Sequence, residues 1–282
     1  MSDAAADLFN VAAIIPNFDA QFDACKAASD ATRARLRSQR DIAYGLLPRN
    51  RLDLFFPDGA AEGRPIHMFI HGGYWRGQVK EDYVFAAESA VAAGAIAAIV
   101  EYTLMPGARM AQLVSEVRMA AQWLAMHAHE FGGDGSMLSA SGHSAGAHLC
   151  SYLATRSPHE AHASQPPVKS VVLLSGLYDL RPISMSYLQP TLALTPQEIA
   201  HWSPFESVPS PGAHIEIVVG HDETEPFHTQ AHDYAYAMER HGASVERITA
   251  PGHDHMSLVR ALGQPGEPVA GLVAQAIERS GG

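Results

Sequence analysis

From residue 41 to the C-terminus, short apolar runs of strand character alternate with segments of helical periodicity. That alternation restricts the chain to a largely parallel sheet covered by helices on its faces. "DIAYGL" and "RLDLFF" come first and are spaced to pair as a hairpin at a sheet edge. "PIHMFIHGG" reads as a buried strand ending in a glycine turn, and "AIAAIVEYTL" as another, reached through a helix over about residues 81–93. "AQLVSEVRMAAQWLAMHAHEFGG" carries its apolar residues three and four apart and stops at glycine, as a helix does. "MLSASGHSAG" runs from strand into turn and "AHLCSYLATR" continues as helix. "VKSVVLLSGLYDL", "HIEIVVGHDE" and "SVERITAPGHDH" supply three more strands, and helices over roughly 226–241 and 268–279 complete the pattern.

Two stretches depart from this rhythm. Residues 1 to about 40 mix short apolar clusters with "DACKAASDATRARLRSQR", which predicts a polar-faced helical segment leading into the domain, either packed at the surface or partly covering a site. Residues 182–211 contain Pro182, Pro190, Pro196, Pro204, Pro209 and Pro211, too many for a strand or a long helix, and are expected to form a cap-like insertion over the carboxyl edge of the sheet. With no repeat or linker elsewhere, the 282 residues are expected to form a single domain, long enough to bury roughly 75% of the surface of the unfolded chain.

Charge narrows the partners. Nineteen Lys and Arg against 30 Asp and Glu leave a formal charge of −11, which opposes binding to nucleic acid or to an anionic membrane. No apolar run approaches the ~20 residues that cross a bilayer, and the opening "MSDAAADLFN" lacks the basic and apolar regions of a secretory signal. The only cysteines, Cys25 and Cys150, make a disulfide framework implausible and suit a reducing, cytoplasmic setting. A small-molecule substrate is the expected partner, and a homodimer is compatible with this reading.

The chemistry concentrates at "GHSAG", residues 142–146, a G-x-S-x-G pattern at a strand-to-helix junction. There a serine sits on a strained turn with its hydroxyl raised above the sheet, and residues two positions away must lack bulk so that strand and helix can approach. A serine hydroxyl is a weak nucleophile at neutral pH and needs a base, with a third group holding that base in the useful tautomer. The chain order for such a strand–turn–helix nucleophile is Ser, acid, His. Of sixteen histidines, His253 and His255 in "PGHDHMSL" lie after the last strand; His255, just before an apolar helical turn, is the expected base and His253 its competitor. Asp222, Glu223 and Glu225 follow the preceding strand. Asp222 comes first and is the expected acid, with Asp179 in "LLSGLYDL" as the runner-up and a turn cap as its alternative role.

Glu101 and Glu116 read as ordinary surface or helix charges. "HGGYW", residues 71–75, closes an earlier strand, and glycines there let backbone amides approach a substrate, so the Gly73, Tyr74 and Ala145 amides are the expected oxyanion hole. His71 is expected to anchor this loop. Tyr74 and Trp75 are the candidate substrate-binding side chains, with packing the preferred reading for Trp75. No third ligand follows His253 and His255 at a metal-site spacing, so neither metal nor cofactor is expected.

Taken together, "HGGYW", "GHSAG", "EYTLMPGARM" and the terminal "DH" resemble the α/β-hydrolase superfamily near the hormone-sensitive-lipase-like esterases, and more closely its kynurenine formamidase (arylformamidase) branch, where the HGG motif continues as Tyr-Trp. "SGLYDLRPI", "LTPQEIAHWSPF" and "GHDETEPFHTQAHDY" are similar to that branch too, over about residues 60–260 in all. The resemblance implies an α/β-hydrolase fold and puts the family's nucleophile, acid and base on Ser144, Asp222 and His255. It also implies hydrolysis of an N-formyl aryl amide such as N-formylkynurenine, with a short-chain carboxylesterase as the alternative and a non-catalytic binding protein as a third. The acid loop departs from the family's Asp-Ser-Pro-Glu-Phe flavour: Asp222-Glu223-Thr224-Glu225-Pro226-Phe227 is longer and more acidic.

Overall fold

A computed structural model describes residues 7–59, 62–160 and 165–281, so residues 1–6 of the expected N-terminal segment lie outside the described residues. The chain begins with helices α1 (Val11–Ile14) and α2 (Phe18–Arg35) and enters strands β1 (Arg37–Ala43), β2 (Arg51–Phe56) and β3 (Arg64–Ile70). A 3₁₀ turn over Lys80–Ala86 and helix α3 (Ala87–Ala92) lead to β4 (Ile96–Val100). Helix α4 (Met110–His127), β5 (Gly133–His143), α5 (Ala145–Ala154) and β6 (Val168–Leu174) follow. Short helices α6 (Leu180–Ile183), α7 (Gln189–Leu192) and α8 (Pro196–Trp202) precede β7 (His214–Gly220), α9 (Glu225–Arg240), β8 (Ser244–Ala250), α10 (His255–Arg260) and α11 (Pro268–Ser280).

The eight strands form one sheet in the order β1-β2-β4-β3-β5-β6-β7-β8, antiparallel at β1/β2 and β2/β4 and parallel from there on. Alternate residues of each strand feed opposite layers, as a pleated strand requires. Leu52, Met68, Ala140, Leu173 and Ile217 pack under α4, α5 and α9, whereas Phe55, Phe69, Val172 and Val218 pack under α2, α3, α10 and α11. With both faces covered, the inner parallel strands β3, β4, β6 and β7 are nearly continuous buried runs, which is why the sequence marks them so clearly, whereas β8 at the other edge is mostly exposed.

The edge strand differs from expectation. β1 starts at Arg37, inside the stretch assigned to the polar helix, and pairs Arg37 with Phe56 and Ala43 with Arg51. It is exposed along most of its length, so it lacks an apolar signature. Its register shifts between Gln39 and Ile42, where Asp41 takes φ 56° and donates its amide to Asp53 Oδ1 at 2.8 Å.

Residues 182–211 are broken into short helices, with Pro190 and Pro196 in first turns, where no amide donor is needed. Arg109 ties this stretch to α4, its guanidinium donating to Glu198, to Leu192 O at 3.1 Å and to Ala193 O at 2.8 Å. Among the described residues, no helix is long and apolar enough to cross a membrane.

Candidate active site

Five strands bring their carboxyl ends to one place, the crevice where open α/β sheets bind ligands. At the end of β5, Ser144 adopts φ 56° and ψ −121°, a conformation that costs a non-glycine residue about 1–3 kcal/mol and persists only when its surroundings enforce it. They do. The Ser144 amide donates to Leu174 O of β6 at 2.8 Å, and its carbonyl accepts the Ala147 and His148 amides that open α5. A Cβ on Gly142 would lie 2.4 Å from Gly146 O, and one on Gly146 only 2.1 Å from Ile70 O. Both flanking glycines are therefore required by backbone contact.

His255 opens α10, whose cap Asp254 accepts the Met256 and Ser257 amides at 3.0 and 2.7 Å. Burial pushes the Asp254 carboxyl up, but these amides and the amide group of Gln21 in α2, 3.0 Å away, hold it below the usual carboxylate range. The His255 ring lies 4.6 Å from Phe227 and 4.5 Å from His143. His143 Nε2 donates to the His255 carbonyl at 3.0 Å. Burial, aided by the neighbouring His255, drives His143 well below the ordinary histidine range, so it acts as a neutral strut.

The carboxylate facing His255 is Glu223, not Asp222. Glu223 Oε2 lies 2.7 Å from His255 Nδ1, and Oε1 accepts from Ser175 Oγ at 2.5 Å and the Gly220 amide at 2.8 Å. Its side chain is fully buried. Asp222 is exposed and contributes its backbone, donating its amide to His253 O at 3.0 Å. The physical reason is the turn at 220–223: the Glu223 amide folds back onto Gly220 O at 3.2 Å, returning position 223 to the strand end where the longer arm meets the imidazole. Asp179 caps α6 through the Arg181 amide.

The loop after β3 runs against Ser144, since a Cβ on Gly72 would meet Ser144 Cβ at 3.2 Å. Gly73, Tyr74 and Trp75 all have positive φ (104°, 51° and 57°), and the Arg76 and Gly77 amides close the turn on Gly73 O at 3.0 and 3.1 Å. His71 fixes the loop from beneath, with Nδ1 donating to Gly72 O at 2.8 Å and Nε2 meeting Glu101 Oε1 at 2.9 Å. Glu101 is thus no surface charge. It also accepts from Arg49 at 2.5 Å and the Lys80 amide at 3.1 Å, and although burial raises its carboxyl, these donors bring it below the ordinary range. Glu116 is buried as well, accepting the Thr103 amide at 2.7 Å.

Ser144, His255, Gly73 and Tyr74 line one cavity of about 320 Å³. The Ala145 amide, next to Ser144, belongs to the first turn of α5, where helix amides have no acceptor within the helix. Trp75 does not reach this cavity. It is fully buried edge-on to His148, 5.2 Å between rings, so it packs, as the preferred reading has it, and does not take the substrate-binding role also considered for it. Val11, Ala12 and Phe18 form part of the wall, so the N-terminal segment covers the site.

A family model, BD-FAE, matches residues 52–202, more than half of the chain. The chain belongs to the BD-FAE family. This BD-FAE protein is 29% identical over 248 residues to the kynurenine formamidase of Danio rerio, across 86% of this chain and 83% of that one. It is 30% identical over 111 residues to an isoprenylcysteine alpha-carbonyl methylesterase of Arabidopsis thaliana, covering 39% and 26% of the two chains. A solved esterase of Pyrobaculum calidifontis shares its fold at 18% identity, with a TM-score of 0.74 and 96% coverage of each chain. The BD-FAE protein is thus an α/β-hydrolase, and an enzyme of the hydrolase class.

Sequence reasoning named Glu223 as a candidate but ranked it behind Asp222, and it overlooked His143 and Ser175 in this BD-FAE site, together with Arg76, Gln78, Tyr187 and Thr191 on the cavity wall. The lengthened, doubly acidic loop after β7 was the available signal for Glu223. Nothing local marks the wall residues, which converge from segments more than a hundred positions apart.

Proposed function

We propose that the protein is a serine hydrolase that removes small acyl groups, with N-formyl aryl amides as its substrate class. The observation that carries this is the buried Glu223–His255 pair at 2.7 Å, in a cavity shared with the strained Ser144. Glu223 holds the proton on Nδ1 and leaves the Nε2 lone pair to take the Ser144 proton as Oγ attacks the substrate carbonyl. The Gly73, Tyr74 and Ala145 amides receive the developing oxyanion. His255 then passes its proton to the leaving amine, and water releases the acyl group from Ser144 by the same steps reversed. Likeness to the Danio rerio formamidase over most of both chains supports the formamide. Ester hydrolysis by the same residues is the second reading, favoured by the methylesterase match.

Ser144→Ala should unfold at the wild-type temperature and lose at least ~10⁴-fold in kcat, in line with removal of a triad nucleophile. Wild-type turnover in that variant would sink the assignment. The ratio of kcat/KM for N-formylkynurenine to that for p-nitrophenyl acetate decides between the two readings.

A further inference from the structure

We propose that Arg76 forms a subsite for a carboxylate at the end of the substrate remote from the scissile carbonyl. This rests on the serine-hydrolase reading and deepens it, because it names which acyl compounds the site selects. Arg76 lines the same cavity as Ser144 and His255. Its amide is pinned to Gly73 O at 3.0 Å, so its backbone is set by the same turn that offers the oxyanion donors. Its guanidinium lies 3.3 Å from Thr191 Oγ1 and 5.7 Å from the Tyr187 ring centroid, held by the insertion across the mouth of the cavity.

Arg76 lines the cavity without a counter-ion among the described residues. Arg49, Arg109, Arg118 and Arg279 each meet a carboxylate, whereas none of the ion pairs among the described residues includes Arg76. Asp7 approaches this corner, but it accepts the Phe9 amide at 3.0 Å and the Tyr187 amide at 2.6 Å. Among the described residues, no Asp or Glu lines the cavity. In a chain of net charge −11, an arginine left without an acid beside a nucleophile is a vacancy for an anion. A guanidinium presents parallel N–H groups that match both oxygens of a carboxylate. The remaining wall, with Phe18, Tyr83 and Met256, suits an aromatic or aliphatic body between the two ends. The substrate so described is an acylated aryl compound bearing a carboxylate, a class to which N-formyl aryl amino acids belong.

The test compares 4-acetoxybenzoate with its methyl ester, matched but for the charge, in wild type, Arg76→Met and Arg76→Lys. Wild type should prefer the anion. In Arg76→Met the anion-to-neutral ratio of kcat/KM should fall about 10- to 100-fold, the range for a hydrogen bond to a charged group, mainly through KM. Arg76→Lys should recover part of it. An unchanged ratio, or an equal loss on both esters in variants with wild-type unfolding temperatures, overturns the proposal. Calorimetric binding of benzoate to Ser144→Ala protein, with and without Arg76→Met, separates the two readings. Arg76-dependent binding supports the subsite even if turnover survives loss of Ser144, and binding that ignores Arg76 refutes it.

Discussion

Replacing Glu223 by Gln keeps the size of the side chain and removes its charge. The carboxylate has three donors to satisfy: the Gly220 amide at 2.8 Å, Ser175 Oγ at 2.5 Å and His255 Nδ1 at 2.7 Å. Gln has one carbonyl oxygen and one NH₂. The Gly220 amide cannot reorient, so the oxygen stays with it and with Ser175, and the NH₂ faces Nδ1. The imidazole must then accept through Nδ1 and carry its proton on Nε2, where it cannot deprotonate Ser144. Loss of the useful tautomer costs about 10⁴-fold in kcat in a serine protease triad, and four decades at about 1.36 kcal/mol each amount to about 5 kcal/mol of transition-state stabilisation. The assay is kcat on p-nitrophenyl acetate for Glu223→Gln beside Asp222→Asn. Asp222 is exposed and acts through its amide, which Asn retains, so that variant should stay within about twofold of wild type. Should Asp222→Asn fall by decades while Glu223→Gln keeps most of its activity, the assignment of the acid is wrong.

Two further outcomes are expected. His67 sits fully buried in β3 between Ser139 Oγ at 2.9 Å and Ser141 Oγ at 2.7 Å, and burial lowers it to about 3. Because the folded state disfavours the charged ring, its contribution is complete above an ordinary histidine value of about 6.5 and is lost as pH falls from there toward 3, by roughly 5 kcal/mol in all; urea unfolding of His67→Gln between pH 7 and 4 should show a flatter acid decline, and an identical slope would refute this. Asp254→Ala removes the cap of α10 and should cost about 1 kcal/mol, with a lowered unfolding temperature in calorimetry. It should also reduce kcat, because His255 is the first residue of that helix.

How much of this was readable beforehand follows from where the information lies. Parallel strands such as β3 and β6 are buried on both faces, so composition alone exposes them, while β1 hides its strand character in exposed polar residues. The turn at Ser144 is legible because its glycines answer to contacts of neighbouring backbone, a local demand with a local signature. The acid is not. Choosing Asp222 ranks carboxylates by order after the strand, whereas the turn that folds residue 223 back onto Gly220 decides which one reaches the imidazole. Glu101 misled for a similar reason: its partners Arg49, His71 and Lys80 come from other segments, and only their convergence makes a buried anion tolerable.

Two backbone hydrogen bonds join the loops that carry Glu223 and His255: His221 N to Ala250 O at 2.9 Å and Asp222 N to His253 O at 3.0 Å. Glu223 and His255 therefore ride on a stapled platform anchored in adjacent strands, while the opposite wall is assembled from the N-terminal helices and from the stretch around Tyr187 and Thr191. The two sides are joined at one end: Gln21 of α2 donates to Asp254, the cap of the helix that begins with His255, and Thr224 beside Glu223 donates to Leu8 O. Exchanging the stretch around Tyr187 and Thr191 is then a route to new selectivity that leaves the platform in place, whereas exchanging the N-terminal helices disturbs the support of His255.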